Sequence, residues 1–190
     1  MRCFTIMKDK SYNIVLAGVS AALITVCAWI SIPVGTVPVT LSTLAIFLIL
    51  MSEGFKRGLN AIIVYLCLGL IGIPVFSQFK GGPAVLIGPT GGFLIGYIPM
   101  AIVFALLVRA FGVSNMTGPK KTVFNFISAV LSEAVLYLFG CVWLSLISGN
   151  RDVMKLLSAC VLPFIIPDIV KILTASLVSQ RLSKYIKQDQ

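Results

Sequence analysis

The stretch Pro163-Phe164-Ile165-Ile166-Pro167-Asp168-Ile169-Val170-Lys171 sets an aspartate and a lysine into a run otherwise apolar enough to cross a bilayer, and the rest of the chain is organised around it. Pro167 suits the first turn of a helix, where its missing N–H leaves no bond unmade, and Asp168 would then follow near the positive end of the helix dipole. Lys171 comes three residues later, so both charged side chains share one helical face, while Ile166, Ile169, Val170 and Ile172 turn toward lipid or neighbouring helices. An ionised side chain at membrane depth costs about 2.5 to 3.5 kcal/mol even on the lenient insertion scale, so two of them one turn apart point to a ligand or ion site. The alternative is a mutually neutralising pair that only fixes helix packing.

Composition agrees with a membrane setting. Of 190 residues, 58% are hydrophobic and 11% charged, against roughly 25% charged in soluble domains, and the mean hydropathy is +1.05. The chain reads as an all-α integral membrane protein surrounded by lipid bilayer. A formal charge of +9 on a soluble domain would suggest nucleic acid. Here it falls in short basic clusters between apolar runs, with no stacking platform, so nucleic acid is excluded as a partner and the clusters are topology signals. Cys3, Cys27, Cys67, Cys141 and Cys160 show no paired spacing, which indicates neither a disulfide framework nor a thiolate metal site. With no histidine in the chain, the usual zinc sites, Ser-His triads and His proton relays are excluded. The first apolar run, Ile14 to Ile32, is longer than a signal-peptide core and lacks a small-x-small cleavage site, so it is expected to be retained as the first span.

With about 20 apolar residues per span as the yardstick, six transmembrane segments are predicted, at 12–32, 39–52, 58–76, 84–109, 122–147 and 160–180, forming a single domain over 1–190. Orientation follows from Lys and Arg at alternate ends. Arg2, Lys8, Lys10, Lys56, Arg57, Arg109, Lys120, Lys121, Arg181, Lys184 and Lys187 gather on one side, and Lys80, Arg151 and Lys155 on the other. Both termini are therefore expected in the cytoplasm, with Asp168 and Lys171 in the outer half of the membrane beside the first loop.

Four further features bear on function. Ala17 and Ala21 are four apart in the first span, as are Gly18 and Ala22; such surfaces allow close helix approach, either to a partner or within the chain's own bundle. In the loop Ser31 to Thr43, Pro33 and Pro38 discourage helix, while Thr40, Ser42 and Thr43 supply hydroxyls for a ligand or for capping the short second helix. The cluster Gly88-Pro89-Thr90-Gly91-Gly92-Phe93-Leu94-Ile95-Gly96-Tyr97 lets backbone approach a ligand or another helix, and without a Gly-Lys-Ser/Thr ending it is no nucleotide loop. Glu133 lies near the middle of the fifth segment, four residues before Tyr137; it fits a second ligand contact, a proton acceptor, or a partner of Ser128, Ser132 or a neighbouring helix.

Five ordered motifs together resemble the BioY family, the biotin-specific substrate-binding components of energy-coupling-factor (ECF) transporters. They are Pro38-Val39-Thr40-Leu41-Ser42-Thr43-Leu44, Gly69 to Phe76, Gly88 to Tyr97, Tyr137 to Leu144, and Pro163-Phe164 with Asp168 to Lys171. Two positions depart from the family pattern: Ser42 stands where Gln is usual, and Pro167 where Gly precedes the aspartate. The resemblance implies a six-helix protein of a bacterial-type plasma membrane that binds biotin from outside, beneath the loop between its first two helices. It implies partners too, a transmembrane scaffold subunit met through Ala17 and Ala21 and two cytoplasmic ATP-binding subunits. Biotin would then be the transported ligand, with no cofactor, no metal and no catalytic residue in this chain.

Biotin has a ureido ring with two N–H donors and a carbonyl, an apolar thioether ring, and a valerate carboxylate. Asp168 suits the ureido N–H groups and Lys171 an anionic or carbonyl group. Tyr137 or Phe93 would cover the apolar ring, Gly91 and Gly92 would permit close backbone approach, and Thr40 or Thr43 would close the outer end. The rival functions are a stand-alone ion-coupled transporter using Glu133 and Asp168, a purely structural membrane subunit, and a membrane enzyme, for which no nucleophile–base constellation appears.

Overall fold

A computed structural model of the chain describes residues 2–34, 37–113, 116, 118–149, 152, 154 and 161–186, with side chains between 11 and 182. Cys160, Arg151, Lys155 and Lys187, used above for span limits and orientation, lie outside the described residues; the side chains of Arg2, Lys8, Lys10 and Lys184 do as well.

The described residues form seven α-helices: α1 Arg2–Trp29, α2 Ser42–Glu53, α3 Phe55–Ile71, α4 Pro83–Ile87, α5 Gly91–Ala110, α6 Pro119–Ser148 and α7 Leu162–Ile186. A bilayer offers the backbone no water, and a helix satisfies its own N–H and C=O groups, which is why apolar runs of this length take that form. Four stretches are long and apolar enough to cross: Ser11–Trp29, Gly91–Ala110, Pro119–Ser148 and Leu162–Leu182. α2, with 12 residues, reaches only roughly 18 Å. The backbone on its N-terminal side, at residues 31–34 and 37–41, is non-helical.

That backbone is a small hairpin. β1, Ser31–Ile32, pairs antiparallel with β2, Val39–Thr40, with Ser31 opposite Thr40 and Ile32 opposite Val39. Residues 39 and 40, expected to open the second span, belong instead to this hairpin.

The expected segment 84–109 is two helices. α4 stops at Ile87, where Gly88 N–H donates to Ala84 O at 2.9 Å, and α5 restarts at Gly91. Pro89 disfavours helical backbone at Gly88, which accounts for the break. α3 ends at Ile71 on a left-handed Gly72 (φ 105°), and the chain then turns through a 3₁₀ turn at Ser77–Phe79. Phe76 fills the space over Gly69, where an added Cβ would lie 2.0 Å from its ring.

α7 corrects the helix start expected at Pro167. It begins at Leu162, so Pro167 stands inside it, and the first bonds run from Phe164 and Ile165 N–H to Val161 O. The proline removes only the bond that Pro163 O would accept, at the very start of the ladder, so the helix continues through it.

The most extensive helix pairings are α5 on α6, α2 on α7 and α1 on α3. Phe47, Ile46, Ile24, Ile62 and Met100 are fully buried between them, and Ile14, Val15, Val19 and Val26 project outward from α1. This inverted surface is what lipid contact requires. The α1 faces also separate: Ala17 and Ala21 are 7% and 0% exposed, whereas Gly18 and Ala22 are exposed and an added Cβ at Gly18 meets nothing within 4 Å. Ala17 and Ala21, the residues expected to meet a partner, are thus largely covered within this chain. They pack inside the chain's own bundle, where their small size lets α1 approach α2 and α3.

Candidate functional site

Asp168 and Lys171 are 4% and 5% exposed on the inner face of α7. Lys171 Nζ donates to Asp168 Oδ1 at 2.6 Å. The second carboxylate oxygen is held from another helix, where Tyr137 Oη on α6 donates to Oδ2 at 2.6 Å. The charged pair is thus part of a network joining α6 and α7, which settles the rotamers of all three side chains.

This network lines a cavity of about 360 Å³, part of it open to solvent. The hairpin loop contributes Val37, Pro38 and Thr40, α2 adds Thr43, and α5 adds Phe93 and Tyr97. From α6 come Glu133, Leu136 and Tyr137, and from α7 Phe164, Asp168 and Lys171. A second hollow of about 380 Å³ shares Val37, Pro38, Thr40, Phe93 and Tyr97 with the first and continues toward Ser42, Tyr65, Ser77 and Thr90. The two adjoin across these shared residues, one a charged lobe and the other a hydroxyl-lined lobe.

The walls are braced by neighbours. Phe93 and Phe164 stack at 6.2 Å between ring centroids, 23° from parallel, giving the charged lobe an apolar aromatic side. Phe93 reaches that position because α6 carries Gly140 behind it, where an added Cβ would lie 2.3 Å from the ring. Tyr97 Oη shares a hydrogen bond with Ser42 Oγ at 3.0 Å, and Ser42 in turn bonds Thr40 in the loop. A chain of hydroxyls therefore ties the loop above the site to α2 and α5.

Of the residues expected at the site, Asp168, Lys171, Tyr137, Phe93, Thr40 and Thr43 all meet at the charged lobe. Gly91 and Gly92 do not line either hollow. An added Cβ at Gly91 would fall 1.8 Å from Leu86 O, and one at Gly92 would fall 2.2 Å from Trp143 Cβ. The close approach these glycines permit is that of α5 to α4 and α6, where Trp143 Nε1 also donates to Gly88 O at 3.0 Å. Sequence reasoning did not select Tyr97 or Phe164 for the site, and it left Ser42 and Glu133 open. Only the motif span Gly88–Tyr97 contained a signal for Tyr97. Among the described residues no group of three His, Cys, Asp or Glu is placed to hold a metal ion.

Membrane-length helices around a cavity lined by a buried charged pair define a membrane solute-binding protein, and the fold is that of an S-component. A solved structure described as the S-component for biotin from an ECF-type ABC transporter aligns with a TM-score of 0.83 at 25% identity, over 93% of each chain. Biotin transporter BioY of Thermotoga maritima is 39% identical over 174 residues, 90% of this chain and 96% of that protein. The probable biotin transporter BioY of Pyrococcus horikoshii is 37% identical over 173 residues, 91% and 97% of the two chains. A family model described as BioY matches residues 5–188. The chain belongs to the BioY family.

Proposed function

We infer that this chain captures biotin from outside the cell as the S-component of an ECF-type uptake transporter. The observation that carries the reading is the Asp168–Lys171–Tyr137 network, buried between apolar helices yet lining a cavity. A charge pair kept only for packing has no need of an adjoining hollow. In this reading Asp168 accepts from a ureido N–H of biotin and Lys171 donates to a carbonyl or carboxylate oxygen. Phe93 and Phe164 cover the apolar ring. The loop carrying Val37, Pro38 and Thr40 closes over the ligand, and its bond through Ser42 to Tyr97 supports such a role.

The chain is a single domain whose six membrane helices are α1, α2, α3, α5, α6 and α7, with both termini cytoplasmic and the cavity on the outer side of the plasma membrane. A scaffold subunit and two cytoplasmic ATP-binding subunits supply the work of transport, and this chain has no catalytic role. The exposed apolar face of α1, around Gly18 and Ala22, is the surface offered to the scaffold.

Calorimetric titration of the purified protein with biotin, desthiobiotin and an unrelated vitamin tests the reading: saturable binding of biotin with no response to the unrelated vitamin supports it. Uptake into sealed vesicles that needs the added ATPase module supports the ECF assignment. Uptake driven by a proton gradient alone would favour the ion-coupled alternative.

A further inference from the structure

Glu133 is the one buried acid of the site that the network leaves out. It is 3% exposed on α6, it lines the charged lobe, and neither Oε1 nor Oε2 makes a hydrogen bond of good geometry within the protein, although the carboxyl lies beside that of Asp168. It is near enough to Asp168 and Lys171 to feel both charges. Asp168, by contrast, has one oxygen held by Lys171 and the other by Tyr137. A buried carboxyl without partners carries the desolvation penalty of its unmade hydrogen bonds, which a ligand donor in the cavity would relieve. Thr43 on α2, facing the same lobe, also has a buried hydroxyl with no partner.

We propose that Glu133 is a ligand-contacting residue of this cavity, supplying an acceptor oxygen to one ureido N–H of biotin while Asp168 serves the other. The proposal rests on the reading of the cavity as a biotin site. Protonated or ionised, a carboxyl keeps an acceptor oxygen, so the contact does not depend on the charge state of the cluster. The second lobe offers hydroxyl donors for the carboxylate end of biotin at Ser42, Ser77 and Thr90. The ring end is thereby directed to Glu133. A site that hydrogen-bonds a donor on its substrate strongly rejects an analogue lacking that donor, which makes Glu133 a specificity residue.

The test uses the full chain in detergent, with Glu133→Gln, which keeps an acceptor oxygen, and Glu133→Met, which removes it at similar size. Biotin and its two singly N-methylated ureido analogues are titrated against each protein. Glu133→Gln is expected to stay within about threefold of the wild-type Kd, and Glu133→Met to bind about tenfold more weakly or worse. Methylation of one particular ureido nitrogen should weaken binding to wild type but add little in Glu133→Met. The ligand-free Met variant should melt at or above the wild-type temperature, since a strained buried acid has been replaced by an apolar chain. Unchanged biotin affinity in Glu133→Met, or methylation penalties identical to wild type at both nitrogens, would overturn the proposal. So would a lowered ligand-free melting temperature with biotin affinity retained, because that assigns Glu133 to packing. A wild type that binds no biotin at all would instead remove the functional reading beneath it.

Discussion

Tyr137 on α6 and Asp168 on α7 are joined by a 2.6 Å hydrogen bond, and Lys171 holds the other oxygen of the same carboxylate. The carboxylate is therefore oriented from two helices, which a pair on α7 alone could not achieve. Removing the hydroxyl in Tyr137→Phe deletes a hydrogen bond to a charged group, an effect of about 1.5 to 3 kcal/mol. The variant is expected to fold, with a melting temperature a few degrees lower and biotin affinity about tenfold weaker, measured by thermal unfolding and calorimetry on one preparation.

Lys171→Met should be more damaging to stability than the double variant Asp168→Leu with Lys171→Met. Taking one partner from a buried ion pair leaves an uncompensated charge, at about 3 to 5 kcal/mol, whereas replacing both with apolar side chains is often neutral. Melting temperatures of the two variants check the ordering. Both should lose biotin binding, which separates the pair's contribution to the site from its contribution to the fold.

The charged pair was legible in the sequence because ionised residues in an apolar run have few explanations. Its third member was harder to read. Tyr137 was expected to cover a ring, and nothing in the spacing of α6 and α7 residues reveals which hydroxyl meets which carboxylate. The glycines were legible as close-approach positions but not in what approaches: at Gly92 it is Trp143, and only the packing of α5 on α6 decides that. In the same way Ala17/Ala21 and Gly18/Ala22 repeat with equal spacing, so periodicity finds both stripes and cannot orient them. The two-residue strands of the hairpin are too short to carry an alternating pattern.

Gly92→Ala is expected to destabilise by about 1 to 3 kcal/mol through overpacking, because its new Cβ would fall 2.2 Å from Trp143 Cβ. Gly18→Ala, with nothing within 4 Å, should be neutral or slightly stabilising, since alanine is the better helix former by about 1 kcal/mol. Thermal unfolding of the two proteins gives opposite signs if the glycines divide into packing and open positions as described.

Bulk on α1 should sort in the same way. Ala21→Trp, at a position with 0% exposure, is expected to prevent folding. Gly18→Trp and Ala22→Trp should fold and keep biotin affinity within about twofold, because they alter an outward face that lines neither hollow. Co-purification with the scaffold and ATP-binding subunits should fail for these two variants; assembly retained in both would remove this face of α1 from the docking surface.

The central claim is that the buried Asp168–Lys171 pair holds biotin, and calorimetric titration of wild type and Asp168→Asn with biotin tests it most directly. Saturable binding by wild type, weakened about tenfold or more in a folded Asp168→Asn, is the predicted result. Equal affinity in the two proteins, or no saturable binding by wild type, would contradict it.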